Sequence, residues 1–444
     1  MVHPMRRAIA LVLALCCVLA PVALAAPASR PPDGARVSSA APVTPATETT
    51  SYLRITPDSL ETAAYNGATI DVSGTLALET QQLDGRFQQE VLRQRLSDTE
   101  SVTARHEQIE TTAARIDERI AALHDRQATT ITAYNNGSLS GQAFLRDLAR
   151  IGAAAGRLET AVEQLQRRAE SVPQSTIDGT SVINWAQNRQ FELAPFGGPV
   201  RDRVTTALRG ENTVPVDADV PSGVARVGST REERLEPLWV YAETTADGVV
   251  LATVDDGQYY REAYLPSERN TTAGSVENNT DVRNRRAMLY PWAENNSGSK
   301  GQRNVQQVGI SRFRFSHDHG RLTAYLDQST SQVFVEHQQK TLTRLPTAAP
   351  VTTTAANRRL VVNRTHPTGP LEVLLTTESG KRLDGTVTIE NRTVGETGPD
   401  GRLWTVAPRG NATVTVRVNG SIMRVETSVA VTTNGTALVA PTSP

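Results

Sequence analysis

Phe144-Leu145-Arg146-Asp147-Leu148-Ala149-Arg150-Ile151-Gly152-Ala153-Ala154-Ala155-Gly156-Arg157-Leu158 opens a run in which apolar residues return in alternating steps of four and three. Phe144, Leu148, Ile151, Ala155, Leu158, Val162 and Leu165 keep that rhythm without a miss, which is the repeat of a helix that buries one seam. Upstream, Val102, Ile109, Ile116 and Leu123 recur every seven residues, with Ala113, Ile120 and Tyr134 on companion positions that His106 and Gln127 interrupt. Between the two runs, Asn136-Gly137 supplies a turn and Ser140 a helix N-cap. The pattern therefore predicts two long helices folded back on each other within 83–173. Counting from the turn sets Leu123 near Ile151, Ile116 near Leu158 and Ile109 near Leu165.

The arms are unequal. Leu83 to Tyr134 would make about 78 Å of helix and Ser140 to Ser171 about 48 Å at 1.5 Å per residue. Pairing therefore ends near Val102, just after Ser97-Asp98-Thr99-Glu100, which has the form of a capping box. Either the first helix breaks there, or Phe87, Val91, Leu92 and Leu96 overhang and need a partner of their own.

Outward from the helices the chain changes character. Arg6-Arg7, the apolar run Ala8 to Ala20 and Ala23-Leu24-Ala25 form an export signal over 1–25, with cleavage giving a mature start at Ala26. The alternative is an uncleaved signal-anchor. Residues 26–50 read as a disordered Pro/Ser/Thr/Ala linker and 51–82 as a short β lead-in. Downstream, Asp247-Gly248 and Asp256-Gly257 separate three alternating runs, which predicts an antiparallel meander over 238–264. A short helix from Asp281 ended by Pro291, and β segments near 309–315, 321–326 and 333–338, complete an α+β domain over 174–345. After a linker at 346–357, residues 358–432 alternate around Asp384-Gly385, Asp400-Gly401 and Asn419-Gly420 as a small β-sandwich. Residues 433–444 form a tail. The fold class is thus multidomain: a coiled-coil-like helical hairpin, an α+β domain with an antiparallel sheet, and an all-β sandwich.

Composition bounds the function. The chain has 444 residues and a formal net charge of −1, so no overall charge points to nucleic acid or a membrane surface. Its only cysteines, Cys16 and Cys17, lie in the export signal, leaving the mature chain without disulfides or thiol chemistry. Nine N-x-S/T sequons, at Asn136, Asn270, Asn278, Asn295, Asn363, Asn391, Asn411, Asn419 and Asn434, are glycosylation candidates consistent with export.

Two stretches could carry chemistry. His317-Asp318-His319 would put two imidazoles on one face of a strand, with Glu336 nearby, and so form a weak metal candidate; the same residues also read as a hairpin turn. Ser297-Gly298-Ser299-Lys300 fits the S-x-x-K pattern of serine enzymes, in an Asn/Gly/Ser loop without partner motifs. Residues 281–321 carry eight Arg or Lys against three Asp or Glu. Within them Arg312-Phe313-Arg314-Phe315 sets arginines on one strand face and phenylalanines on the other. Arg312 and Arg314 are accordingly anion-binding candidates, toward an acidic polysaccharide or a partner's acidic surface. No catalytic residue and no cofactor is assigned.

The C-terminal module, through Gly385-Thr386-Val387-Thr388-Ile389, Gly398-Pro399-Asp400-Gly401-Arg402-Leu403-Trp404 and Pro408-Arg409-Gly410, resembles the transthyretin-like, carboxypeptidase-regulatory-like sandwich family, whose members are usually non-catalytic spacers or adhesion units. Val240 to Thr245 through Arg261-Glu262-Ala263, Leu289-Tyr290-Pro291-Trp292-Ala293, and His319-Gly320-Arg321-Leu322 through Val333-Phe334 resemble an uncharacterised family of haloarchaeal secreted multidomain proteins, which implies no activity. The reading is a secreted, N-glycosylated envelope protein with a structural or binding role. It would associate with other envelope proteins, with itself through the helices, or with anionic glycans, and would have no nucleic-acid partner. The alternatives are a signal-anchored ligand-binding ectodomain, which alone would involve a membrane, and an exported metal-dependent hydrolase built on the middle domain.

Overall fold

The computed structural model describes residues 52–98, 101–211, 213–215, 233–235, 237–271, 279–305, 308–346 and 350–427, all within one compact unit, Val37–Pro444. The export signal, the 26–50 linker, the 433–444 tail, Asn278 and Asn434 lie outside the described residues.

The helices are α1 (Val72–Asp98), α2 (Val102–Asn135) and α3 (Gly141–Ala169). Ser140 caps α3, its Oγ accepting from the Ala143 amide, and Gly137 supplies the left-handed residue of the turn at φ 75°. The start of α2 returns to the end of α3, where His106 Nε2 meets the Pro173 carbonyl at 3.0 Å, so α2 and α3 run antiparallel. Their expected seam residues, Ile109, Ile116 and Leu123 on α2 and Ile151, Leu158 and Leu165 on α3, are all buried.

Two expectations about the helical entry are corrected. The segment read as a β lead-in holds one strand, β1 (Thr62–Ala68), and then already enters α1 at Val72, eleven residues before Leu83. The break does fall near Ser97, but Ser97 and Asp98 finish α1, and it is Ser101 that occupies the N-cap of α2, without a side-chain cap bond.

After α3 come a two-stranded β2 (Thr176–Ile177) and β3 (Thr180–Ser181), helices α4 (Val182–Leu193) and α5 (Pro199–Leu208), and a small pair, β4 (Thr213–Pro215) and β5 (Glu233–Leu235). The meander follows as β6 (Leu238–Thr244), β7 (Val249–Asp255) and β8 (Gln258–Tyr264). Next are α6 (Asn279–Leu289), α7 (Pro291–Asn296), β9 (Ser297–Val305), β10 (Ile310–His317), β11 (Gly320–Asp327) and β12 (Gln332–Thr341). α6 ends at Leu289, just before Pro291 as expected, and Pro291 also starts α7, where its missing N–H costs nothing.

These strands make one eight-stranded sheet in the order β1-β6-β7-β8-β12-β11-β10-β9, antiparallel throughout. Its two faces are shared out by the two-residue period of the strands. Leu238, Val240, Ala242, Val249 and Leu251 join one core with the buried faces of α2, α3, α4 and α5. The hairpin is therefore not a projecting arm, since α3 packs against α2, α4, α5 and β1. Trp239, Tyr241, Ala252 and Tyr259 take the opposite face and join the core of the C-terminal module. Farther along that face, Phe313, Phe315, Leu322 and Ala324 pack with α6, α7 and the entering segment around Leu53 and Ile55.

The C-terminal module is a sandwich of two four-stranded sheets. One is β13 (Val351–Ala355), β14 (Arg358–Arg364), β15 (Pro370–Thr377) and β18 (Arg402–Val406); the other is β17 (Arg392–Glu396), β16 (Thr386–Ile389), β19 (Ala412–Val418) and β20 (Ser421–Thr427). The expected 346–357 linker is thus corrected in part: Val351–Ala355 pairs with β14.

Three charged nodes tie these layers together. Glu336, fully buried, accepts from Arg261, Gln338, the Tyr290 hydroxyl and the amides of Tyr52 and Leu53. Glu262 accepts from the Val200 and Arg201 amides at the start of α5 and from the Arg201 guanidinium. Glu243 forks with Arg409 of the sandwich at 2.9 and 2.8 Å, and Arg409 also donates to the Ile55 carbonyl. The entering segment 52–55 is therefore held by both the sheet and the sandwich.

Candidate anion-binding face

On β9, β10 and β11 the face toward the helices is covered by α4 at one end, where Phe191 packs with Val305 and Ile310, and is exposed at Arg303, Arg314 and Arg321. Register decides which side chains meet there. Arg312 lies opposite Arg303 of β9 and opposite Tyr325 of β11; Arg314 lies opposite Gly301 and Thr323; Ser316 lies opposite Arg321. Alternation then sets Arg303, Arg312, Arg314 and Arg321 on one face and Phe313 and Phe315 on the other, in the core.

The four arginines differ in setting. Arg312 is half-buried, with its guanidinium 5.4 Å over the Phe191 ring and hydrogen-bonded to Tyr325. Burial lowers its pKa, with Arg314 and Arg303 adding repulsion. Arg303, Arg314 and Arg321 are exposed, and among the described residues no carboxylate pairs with them. Elsewhere the chain pairs its arginines: Arg189 with Asp117, Arg201 with Glu262, Arg261 with Glu336, Arg286 with Glu294 and Arg409 with Glu243. Like charges directly across a strand pair are unfavourable, so the Arg303–Arg312 juxtaposition is a standing cost that a bound anion would relieve. Arginine holds its proton across the accessible pH range and offers a forked set of donors to carboxylate or sulfate oxygens.

The metal candidate is built differently from its expectation. His317 ends β10 and pairs with Gly320, so His319 sits in the two-residue turn rather than two places along a strand. Gly320 takes φ 147°, where a side chain would meet the Gln339 carbonyl. The two imidazoles flank Trp292: His319 stacks on it at 4.9 Å and His317 meets its ring edge at 5.0 Å. Burial, with the charges of Lys340 and His319, pushes His317 down to about 4. Glu336 is occupied by its five donors, and among the described residues no three His, Cys, Asp or Glu side chains form a group able to hold a metal.

The S-x-x-K reading is corrected as well. Ser297-Gly298-Ser299-Lys300 is not a loop but the start of β9; a register shift at Ser316/His317 sets Ser297 opposite His317 and Lys300 opposite Phe315 on the same face, where the Lys300 ammonium is taken by Glu294 at 3.4 Å. Glycine and serine are poor strand formers; pairing with β10 overrides that preference. Of the described sequons, Asn136, Asn270, Asn295, Asn391, Asn411 and Asn419 are exposed. Asn363 lies inside β14 with its amide bound to Glu372 at 2.7 Å, which makes it a poor acceptor.

Comparison with known proteins divides the chain in three. Residues 5–213 match a domain of unknown function (DUF7096), residues 240–346 a family of unknown function (DUF7094), and residues 349–425 an archaeal fibronectin-III type-like domain. No curated protein and no solved structure matches. These matches are consistent with an archaeal multidomain family. The sandwich is similar to the fibronectin-III type-like domain, and no transthyretin-like match accompanies it. The first matched region contributes β1, which pairs along its whole length with β6 at the head of the second.

Proposed function

We propose that the chain is an exported, non-enzymatic envelope protein that holds an acidic polymer, with uronate- or sulfate-bearing glycans as the ligand class. The observation that carries this reading is the row of four arginines on one open sheet face, three of them exposed and unpaired with carboxylates among the described residues. Such a row binds charge without moving protons, so it suits retention rather than catalysis. Export is supported by the Arg6 to Ala25 pattern and by sequons on exposed residues. Mass spectrometry of the native N-terminus tests that part: Ala26 means release, and Met1 or Val2 means an anchored ectodomain. Retention on immobilised polyuronate tests the ligand class. Wild type is expected to be retained at low ionic strength and released as salt screens the arginines. Equal retention of an Arg303→Ala, Arg314→Ala, Arg321→Ala variant would remove the proposal.

Self-association through the helical region is a second reading. It is favoured by Leu76, Leu83 and Phe87, which are exposed on α1; sedimentation of the full chain over a concentration series tests it.

A further inference from the structure

β9 has a second face. Its even positions, Lys300, Gln302 and Asn304, turn away from the arginine row and toward α6. Between helix and strand lies a cavity of about 460 Å³ lined by Arg283, Arg286, Lys300, Gln302 and Asn304. Every lining side chain is polar, which disfavours an apolar ligand. Charge is not balanced there. Glu294 takes both Arg286 at 2.9 Å and Lys300 at 3.4 Å, so one carboxylate answers three cations. Burial raises the Glu294 pKa, but hydrogen bonds from Arg286 and the charges of Arg286 and Lys300 outweigh it and hold the carboxyl below its usual range. Arg283 is exposed at the mouth, and no carboxylate among the described residues pairs with it. Gln302, 3.5 Å from Arg286 and bonded to Asn304, adds amide groups to the floor.

We infer that the cavity between α6 and β9 is a subsite for one oxyanion group, the carboxylate or sulfate of a single sugar unit. The inference rests on the anion reading of the arginine face and deepens it. β9 is the outermost strand of the sheet, and Arg303 and Gln302 are consecutive on it with opposite facing. A chain crossing that open edge reaches the row with one unit and the cavity with the next. The row supplies sequence-tolerant charge and the cavity selects the acidic group.

The test titrates the full chain calorimetrically with an oligouronate trimer, a sulfated trisaccharide, inorganic sulfate alone and long polyuronate. Against the preferred trimer, Arg283→Ala with Lys300→Gln is expected to lose at least tenfold in affinity. Arg303→Ala, Arg314→Ala, Arg321→Ala is expected to weaken the trimer, which reaches the row with one unit, by less than the cavity variant does, and to weaken the polymer by more. Preference for one trimer assigns carboxylate or sulfate. Inorganic sulfate binding as tightly as either trimer would overturn the saccharide assignment. No trimer binding, or an unchanged cavity variant, would overturn the subsite while leaving the face to stand on its polymer result. An unchanged polymer affinity in the face variant, with the cavity effect intact, would instead remove the face. Arg283→Ala alone, at an exposed position, supplies a folded control for the double variant.

Discussion

Glu336 and Lys340 lie two strand positions apart from Gln338 on the same face of β12, and both are buried. Glu336 serves five donors, so Glu336→Ala would leave Arg261, itself 1% exposed, as a buried cation without its partner. The expected cost is about 3–5 kcal/mol in denaturant unfolding, with faster hydrogen exchange at the Leu53 amide. A loss under 1 kcal/mol would mean water reaches the node. Lys340 sets a pH dependence. Burial pushes its ammonium down to about 7, with Glu336 opposing and Arg261 adding to the shift. Between that value and the free value of 10.5, the unfolded chain binds a proton that the folded chain has released. Stability therefore rises with pH across that window and is lost as pH falls through about 7. The slope is at most about 1.4 kcal/mol per pH unit. Unfolding midpoints from pH 7 to 9 should climb for wild type and climb less for Lys340→Met; parallel curves would contradict this.

Elements show what a local pattern can and cannot carry. The seam of α2 and α3, the Asn136-Gly137 turn and the Ser140 cap were legible because each rests on neighbours within a few residues. Ser140→Ala removes the bond to the Ala143 amide and is expected to cost about 1 kcal/mol in thermal or denaturant unfolding; no measurable change would mean the first turn of α3 is held by packing alone. β1, with the sequence Thr-Ala-Ala-Tyr-Asn-Gly-Ala, and the Gly/Ser-rich β9 were not legible. Both are edge strands whose conformation comes from a partner, β6 for one and β10 for the other, and weak propensity yields to such pairing. The site divides in the same way. Arg312 and Arg314 follow from alternation within one strand, whereas Arg303 and Arg321 join them only through the register of β9 and β11.

At the scale of the whole molecule, the matched regions are not independent bodies. The region matching DUF7096 supplies helices and β1 to the sheet of the region matching DUF7094. The sandwich buries Tyr65, Tyr241 and Tyr259 and forks Glu243 through Arg409. Removing residues after 346 would expose those tyrosines and leave Glu243 without its cation. The shortened chain is expected to aggregate or lose cooperative unfolding, and a well-folded fragment with an unchanged midpoint would contradict the shared core. Such long-range sharing leaves no periodic trace in the sequence, which is why the helices, the α+β region and the sandwich read as separate modules. A body this interlocked would present the arginine face rigidly. The most direct measurement is hydrogen exchange of the full chain with and without saturating polyuronate at low salt. Protection is expected across β9 to β11, residues 297–327, with α2 and α3 unchanged; protection elsewhere with none on those strands would contradict the account.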